Sequence, residues 1–579
     1  MQTALEFQNL IELFNKSIDR VEQRDKLCLE ILRIERHETL SFGQLRQRAR
    51  AFARWLVRSG GIRIADKTAV LGKNRADWDV ALWGIVLAGA VPVLIDPERP
   101  VAGVTDHLLH TDARLLVMAD DYQDADSRRQ LKELARRRGM GLIEMGDASL
   151  GAAGKIAGPD DAELDATLDG ISARIKPDDT AVILCTSGTT GDPREVELTH
   201  ANLIANIQGS VEKIRIARSD VLGHILPPHH SFGLTVGKML ALRAGAINIY
   251  TNKYRQISEL IRDRHVTIFI GIPALFTMLA RKMEESLAAE KKKRPLLRLL
   301  DRYAPKLVGR GIARKLGWQR LRFFLSGAAP MPKWVLDVLW RRGFLMYEGY
   351  GTTENSPVYG FNEDPGKLGS VGRPIRTLQV RIADEQSHTL PPGQKGEILL
   401  GGPCIMKGYY KNPKSTTAAV KTDEKGIRWL HTGDLGYLDD EGNLYITGRK
   451  KYLIVLPGGK NVNPELVETA LSEARFVNEI LVVPHLRRDP DGVVQETVRA
   501  LVQPAWDVIQ NHTNLGHAEL VEKPNVVKKL VWDSIHECQR KSRHLSHFEK
   551  ISSHHLEIQI EEFQKTSTGK IKRETYIRL

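Results

Sequence analysis

The run from Ile183 to Arg194, Ile-Leu-Cys-Thr-Ser-Gly-Thr-Thr-Gly-Asp-Pro-Arg, is dense in glycine and hydroxyl side chains. Gly188 and Gly191 let a backbone turn tightly and aim its N–H groups at an oxyanion. Thr186, Ser187, Thr189 and Thr190 add donors, and Arg194 adds fixed positive charge. The chemistry suggested is phosphate binding, with a plain Ser/Thr/Gly-rich turn as the competing reading. It is not the nucleoside triphosphatase loop, because GxxxxGK[ST] is absent.

Such a loop needs a rigid support. Val/Ile-rich runs at Thr180 to Cys185, Val266 to Ile270 and Arg322 to Leu325 read as strands and alternate with helical patterns such as Lys333 to Arg342. This is α/β patterning, with parallel-rich sheets and helices. The apolar run Val80 to Ile95 is shorter than a membrane span needs and reads as a buried helix turning into a strand. Residues 151–178, rich in Ala, Gly and Asp, read as a loosely structured connector. After about Gly448 the texture changes to a smaller α+β unit, with a strand at Glu479 to Val483 and a helix at Asn525 to Lys541. The expected architecture is a large multi-lobed domain over 1–447 and a small mobile domain over 448–579.

Further motifs occur in order along the chain. Leu226-Pro-Pro-His-His-Ser-Phe-Gly233 precedes Ser326-Gly-Ala-Ala-Pro330 and Tyr347-Glu-Gly-Tyr-Gly-Thr-Thr-Glu354. Then come His431-Thr-Gly-Asp434, Gly448-Arg-Lys-Lys451 and Thr566-Ser-Thr-Gly-Lys570. With the TSGTTG loop and Leu198-Thr199-His200 after it, this set resembles the adenylate-forming superfamily, which includes acyl-CoA synthetases, luciferases and peptide-synthetase adenylation domains. The resemblance spans most of the chain.

The resemblance implies activation of a carboxylic acid by ATP to acyl-AMP, then transfer of the acyl group to a thiol. Two anions must then approach, which explains why positive groups gather. By resemblance, Thr186, Ser187, Gly188, Thr189, Thr190, Gly191 and Arg194 would cradle the β- and γ-phosphates, Thr353 would touch the α-phosphate, and Glu354 would hold Mg²⁺. Tyr350 would stack on adenine beside Gly327 and Ala328. Asp434 would bind the ribose hydroxyls with help from Arg449. His230 would sit beside the acyl pocket, and Lys570 would contact the carboxylate and bridging phosphate oxygens. Lys451 matches a hinge about which the small domain rotates, and Gly458 and Gly459 would lie on the thiol-delivering face. Competing readings are a core aromatic for Tyr350, a satisfied core histidine for His230 and a simple turn for the glycine pair.

Three positions depart from the family pattern: Arg194 where Lys is commoner, Glu195 where Gly is expected, and Tyr452 where an acid often succeeds the hinge. Arg keeps the charge and forks its donors. Glu195 places a negative charge near a triphosphate, which would weaken ATP binding unless a neighbouring base pairs with it.

Composition bounds the rest. A chain of 579 residues with 42% hydrophobic and 27% charged residues is a folded protein, not a disordered one. Cys28, Cys185, Cys404 and Cys538 form no CxxC pair, arguing against zinc, redox and disulfide motifs. The N-terminus does not read as a signal peptide, and the expected location is the cytoplasm, with peripheral contact at the inner face of the membrane. The net charge of +13 is uneven. Between Lys291 and Arg322 stand twelve Lys or Arg against one acid, Asp301. There Leu296, Leu299, Leu300, Tyr303, Leu307 and Ile312 recur at helical spacing, interrupted by Pro305 and Gly309. This basic amphipathic pattern suits anionic lipid, an acidic carrier protein, or plain solvation. No nucleic-acid recognition module is present.

The detailed motifs are most similar to long-chain fatty acyl-CoA synthetases and also to acyl-acyl-carrier-protein synthetases. The expected substrate is a fatty acid, with CoA as acceptor and acyl carrier protein as the alternative. A reading of another class is a weakly active nucleotide- or lipid-binding interaction protein, for which Glu195 is the main support.

Overall fold

The Val80–Ile95 run folds as its composition predicts. The helix Ala76–Leu87 is buried on every side, and the chain turns at residues 88–90 into the fully buried strand Val91–Ile95. A helix apolar all round belongs inside a large core. The computed structural model describes residues 5–32, 37–146, 161–186, 194–251, 256–456, 460–488, 494–542, 545–566 and 570–577.

Two large sheets dominate. In the seven-stranded one, Val91–Ile95 pairs in parallel with Lys67–Leu71 and with Thr180–Thr186, and Leu115–Ala119 and Gly141–Met145 extend the parallel run. Arg194–Thr199 returns antiparallel on Thr180–Thr186, so these two strands flank residues 187–193. In the eight-stranded sheet, Val221–His224, Ile247–Thr251, Ile268–Gly271, Phe323–Ser326 and Met346–Tyr350 run parallel. Its outer pairs are antiparallel at both ends. Next comes a five-stranded antiparallel sheet, including Arg428–Leu438 and Leu444–Arg449. Beyond it, a three-stranded sheet of Val477–Arg488, Val494–Pro504 and Leu556–Ile558 has its own core, drawn from residues between Ile454 and Leu556. Mixed α/β layering with parallel-rich sheets is therefore the observed class.

A buried ion pair links the two large sheets' helices. Lys238 Nζ meets Asp79 at 2.8 Å, and its ammonium lies 4.0 Å from the Tyr250 ring centre and 4.9 Å from that of Trp78. Loss of either partner would strand a charge in the core.

Three expectations change. Within the expected connector, Asp161–Arg174 is a helix, while 151–160 lie outside the described residues. Its acids Asp165 and Asp169 pair with Arg50 and Arg54 of the helix Phe42–Arg58, and Leu168 and Ile171 are buried. In the basic segment, Pro305 opens a helix, Pro305–Leu316, and Gly309 lies within it without interrupting it. A Cβ at Gly309 would come within 1.8 Å of the Arg342 carbonyl oxygen, so this glycine permits close packing. The strand expected over Glu479–Val483 is longer, Val477–Arg488. No described helix is long and apolar enough to cross a membrane.

Thr199 and His200, which succeed the phosphate loop, have structural work. The Thr199 hydroxyl accepts from Asn202 N–H and caps the helix His200–Ile214. His200 Nδ1 accepts from Leu10 N–H at 3.1 Å, which requires the neutral ring. Burial pushes its pKa down to about 4. The unfolded ring binds a proton near pH 6.5, so this contribution to stability is full above that pH and is lost as pH falls from about 6.5 to about 4. The difference corresponds to about 3 kcal/mol. Unfolding midpoints measured across this range are expected to fall less steeply for His200→Gln than for the wild type.

Candidate active site

Open α/β sheets bind ligands beyond the carboxyl ends of their strands. Here Phe323–Ser326 ends at Gly327 and Ala328, Met346–Tyr350 ends at Tyr350, and Val221–His224 leads to His230. All four residues line a cleft of about 2550 Å³. Ala328 has φ of 73°, and a Cβ at Gly327 would lie 2.9 Å from the Phe232 ring, so this turn favours small residues. The five-stranded sheet supplies Asp434 and Arg449, which are register partners on Arg428–Leu438 and Leu444–Arg449.

Asp434 is the best-anchored group. Tyr350 Oη donates to its Oδ2 at 2.6 Å, and Arg449 Nε donates to its Oδ1 at 2.6 Å. Burial works against the Arg449 charge, but Asp434 outweighs it and holds the guanidinium pKa above its ordinary value. Burial and then Asp434 raise the Tyr350 phenol, which stays protonated and able to donate.

Thr353 and Glu354 stand on the short helix Thr353–Asn355. The Thr353 hydroxyl lies 3.1 Å from that of Ser231, and Tyr409 Oη donates to Glu354 Oε1 at 3.0 Å. The Arg194 guanidinium packs 5.0 Å from the Tyr409 ring centre. Lys570 lines the same cleft from the far end of the chain. Enclosure and then Arg449 lower its pKa, against the pull of Asp434, Glu465 and Glu354. Its side chain remains exposed, so water moderates each of these effects. His230 is half-buried and neutral: burial, then His229, pushes its pKa down to about 3.

The cleft therefore gathers Arg194, His230, Gly327, Ala328, Tyr350, Thr353, Glu354, Asp434, Arg449 and Lys570 from the expected set. Lys451 is not among its lining residues. It pairs with Glu574 at 3.3 Å and lies 4.4 Å from the Tyr452 ring centre, while Tyr452 Oη donates to the same Glu574 oxygen. Thr186 ends its strand. Ser187, Gly188, Thr189, Thr190, Gly191, Gly458 and Gly459 lie outside the described residues.

Sequence reasoning missed three lining residues. Glu348 is buried, which pushes its pKa up to about 7, and one oxygen accepts from Met331 N–H at 3.0 Å. Its signal was present, because residues two apart on a strand share a face and Glu348 precedes Tyr350 by two. Glu465, whose pKa burial raises, faces Arg573, Arg449 and Lys570. Tyr409 carried no signal, since its partner Glu354 is distant in sequence.

The sequence model of the AMP-binding enzyme family matches residues 18–410. The chain belongs to the AMP-binding enzyme family. Among its relatives, the long-chain-fatty-acid–CoA ligase of Escherichia coli O6:H1 is 25% identical over 527 residues, covering 86% of each chain. The 4-coumarate–CoA ligase 1 of Petroselinum crispum is 29% identical over 478 residues, covering 79% of each. ATP-bound MatB from Rhodopseudomonas palustris shares the fold, with a TM-score of 0.75 at 24% identity over 98% of this chain and 99% of that one. The expected resemblance to the adenylate-forming superfamily is thereby borne out.

For this AMP-binding enzyme the Glu195 departure has a structural answer. Glu195 is buried, and its carboxylate meets His107 Nδ1 at 2.6 Å and His110 Nδ1 at 3.1 Å. It lines a separate pocket of about 290 Å³ and not the large cleft. Burial alone would raise its pKa, but His107 and then His110 bring the balance below the usual value, so it stays ionised. Restoring glycine removes the acceptor of two histidines and loosens a strand. Glu195→Gly is expected to lower stability by about 1–3 kcal/mol, read as a lower melting temperature, with Glu195→Gln intermediate. An unchanged or higher melting temperature for Glu195→Gly would contradict this.

Proposed function

We propose that the protein activates a long-chain fatty acid with ATP and passes the acyl group to CoA. The supporting observation is the convergence of Lys570, Arg449, Arg194, Glu354 and Asp434 on one cleft, although they come from distant parts of the chain. The acid's carboxylate oxygen attacks the α-phosphorus, pyrophosphate leaves, and acyl-AMP forms. The CoA sulfur then attacks the acyl carbon and AMP leaves. Arg194 and residues 186–191 bind the outer phosphates, Thr353 meets the α-phosphate, Tyr350, Gly327 and Ala328 frame the adenine, and Asp434 with Arg449 takes the ribose. Lys570 offsets the negative charge of the two approaching anions. The Glu354 carboxylate, open to the cleft, suits Mg²⁺, which supplies charge neutralisation on the phosphates.

A long apolar acid is supported by Phe232, Met278, Met331 and Trp334, which line the same cleft as neutral His230. The long-chain ligases among the relatives support the same class. Residues 448–579 act as a separate domain that carries Lys570, turning about Lys451 so that Gly458 and Gly459 face the thiol.

The test incubates the protein with Mg-ATP and fatty acids of graded length, offering CoA and acyl carrier protein separately, and monitors AMP and acyl-thiol by mass spectrometry. AMP and acyl-CoA are expected from the wild type, with at least about a hundredfold loss for Lys570→Ala. No AMP with any acid from a folded protein would overturn the reading.

A peripheral contact accompanies this reading. On the helix Pro295–Tyr303, Leu296, Leu299 and Tyr303 are 68%, 59% and 72% exposed and share one face, beside exposed Lys292, Lys293, Arg294, Arg298 and Arg302. Apolar side chains flanked by cations suit an anionic lipid surface. Lys291 is not free for it, because it pairs with buried Asp301 at 2.5 Å. Sedimentation with phosphatidylglycerol vesicles is expected to fall several-fold when Leu296, Leu299 and Tyr303 are changed together to Ser. Equal sedimentation of wild type and variant would remove this contact.

A further inference from the structure

Around the strands that flank residues 187–193, a second group of side chains has no part in the proposed reaction. A ring nitrogen of His107, the sulfur of Cys185 and a carboxylate oxygen of Glu195 all lie within 4.8 Å of one another, and all three residues are buried. Cys185 and Glu195 are register partners on Thr180–Thr186 and Arg194–Thr199, the strands that enter and leave residues 187–193. His107 reaches them from the helix Val101–His110, whose last residue, His110, lies 3.1 Å from the second Glu195 oxygen. Besides the ring nitrogen on Glu195, His107 has a second, Nε2, that is buried without a hydrogen-bond partner among the described residues.

We propose that His107, Cys185, Glu195 and His110 form a binding site for a zinc-class transition-metal ion, distinct from the Mg²⁺ position at Glu354. The donor set decides the metal. Nitrogen, sulfur and carboxylate oxygen together suit a borderline ion, whereas Mg²⁺ and Ca²⁺ select oxygen alone. A tetrahedral site with Zn–N of about 2.0 Å and Zn–S of about 2.3 Å places ligand atoms about 3.3–3.8 Å apart. The ligand atoms of His107, Cys185 and Glu195 already lie within 4.8 Å of one another, and small side-chain rotations bring them to that range, with His110 joining from the second Glu195 oxygen. One thiolate and one carboxylate balance a divalent charge. Burial raises the Cys185 thiol pKa, and coordination is what makes such a thiol release its proton.

Access exists on one side. His110 is 43% exposed and, with His107 and Glu195, lines the pocket of about 290 Å³, while Cys185 borders the large cleft. The ion would sit in the wall between the two cavities and cross-link the strands at the base of the phosphate loop.

The test uses the full chain, treated with chelator and then titrated with Co²⁺ without nucleotide, so its outcome does not depend on the acid-activating reading. The expected result is saturable binding with a thiolate-to-cobalt charge-transfer band and tetrahedral visible bands, both displaced by Zn²⁺. Cys185→Ser is expected to abolish the charge-transfer band. Because outer partners of metal ligands alone change affinity by about 10–100-fold, loss of a ligand in His107→Gln or Glu195→Gln is expected to weaken binding at least tenfold. Circular dichroism confirms that each variant is folded, and the wild-type spectrum needs no variant at all. Absence of the thiolate band in the wild type, or its persistence in Cys185→Ser, would overturn the proposal.

Discussion

The cleft depends first on the clasp around Asp434. One carboxylate oxygen takes the Tyr350 phenol and the other takes the Arg449 guanidinium, each at 2.6 Å. Tyr350 ends a strand of the eight-stranded sheet, while Asp434 and Arg449 belong to the five-stranded sheet. Three hydrogen-bonding groups therefore lock the end of one sheet to the edge of another, in a partly buried setting where a charge-assisted bond counts for more than it does in open water. Lys570 lines the same cleft as this clasp. Asp434, Glu465 and Glu354 attract its ammonium, and Arg449 repels it. Acids interspersed among the bases balance the charge of the cleft.

The parallel cores were legible because their signal is local. Apolar runs such as Thr180 to Cys185 and Val80 to Ile95 carry their burial in their own composition, and they fold as strands and a buried helix. The cleft was legible in another way. Short motifs, each at a strand end or tight turn, name residues whose chemistry only makes sense together, and ten of those expected residues line one cavity.

Single charges paired over long separations escaped reading. Residues 161–174 looked like a connector because Ala, Gly and Asp dominate, yet Arg50 and Arg54 supply the partners that make those acids a helix face. Glu195 looked like a threat to phosphate binding because its histidine lies 88 positions away. Lys238 and Asp79 are 159 positions apart. No window of sequence shows such a pair, since each half alone resembles an ordinary surface charge.

At position 195 a charge occupies the second residue of the strand Arg194–Thr199, where glycine would leave the backbone free. A buried carboxylate is tolerable only if its oxygens are matched, and here His107 and His110 do so from one turn of a helix, three residues apart. Glutamate therefore trades backbone freedom for a side-chain tether between the phosphate-loop strand and the helix Val101–His110. Arg194, its neighbour, lines both the cleft and the small pocket and packs on Tyr409, which in turn donates to Glu354. Adjacent residues on one strand thus hold different partners: Arg194 packs on Tyr409, and Glu195 pairs with the two histidines.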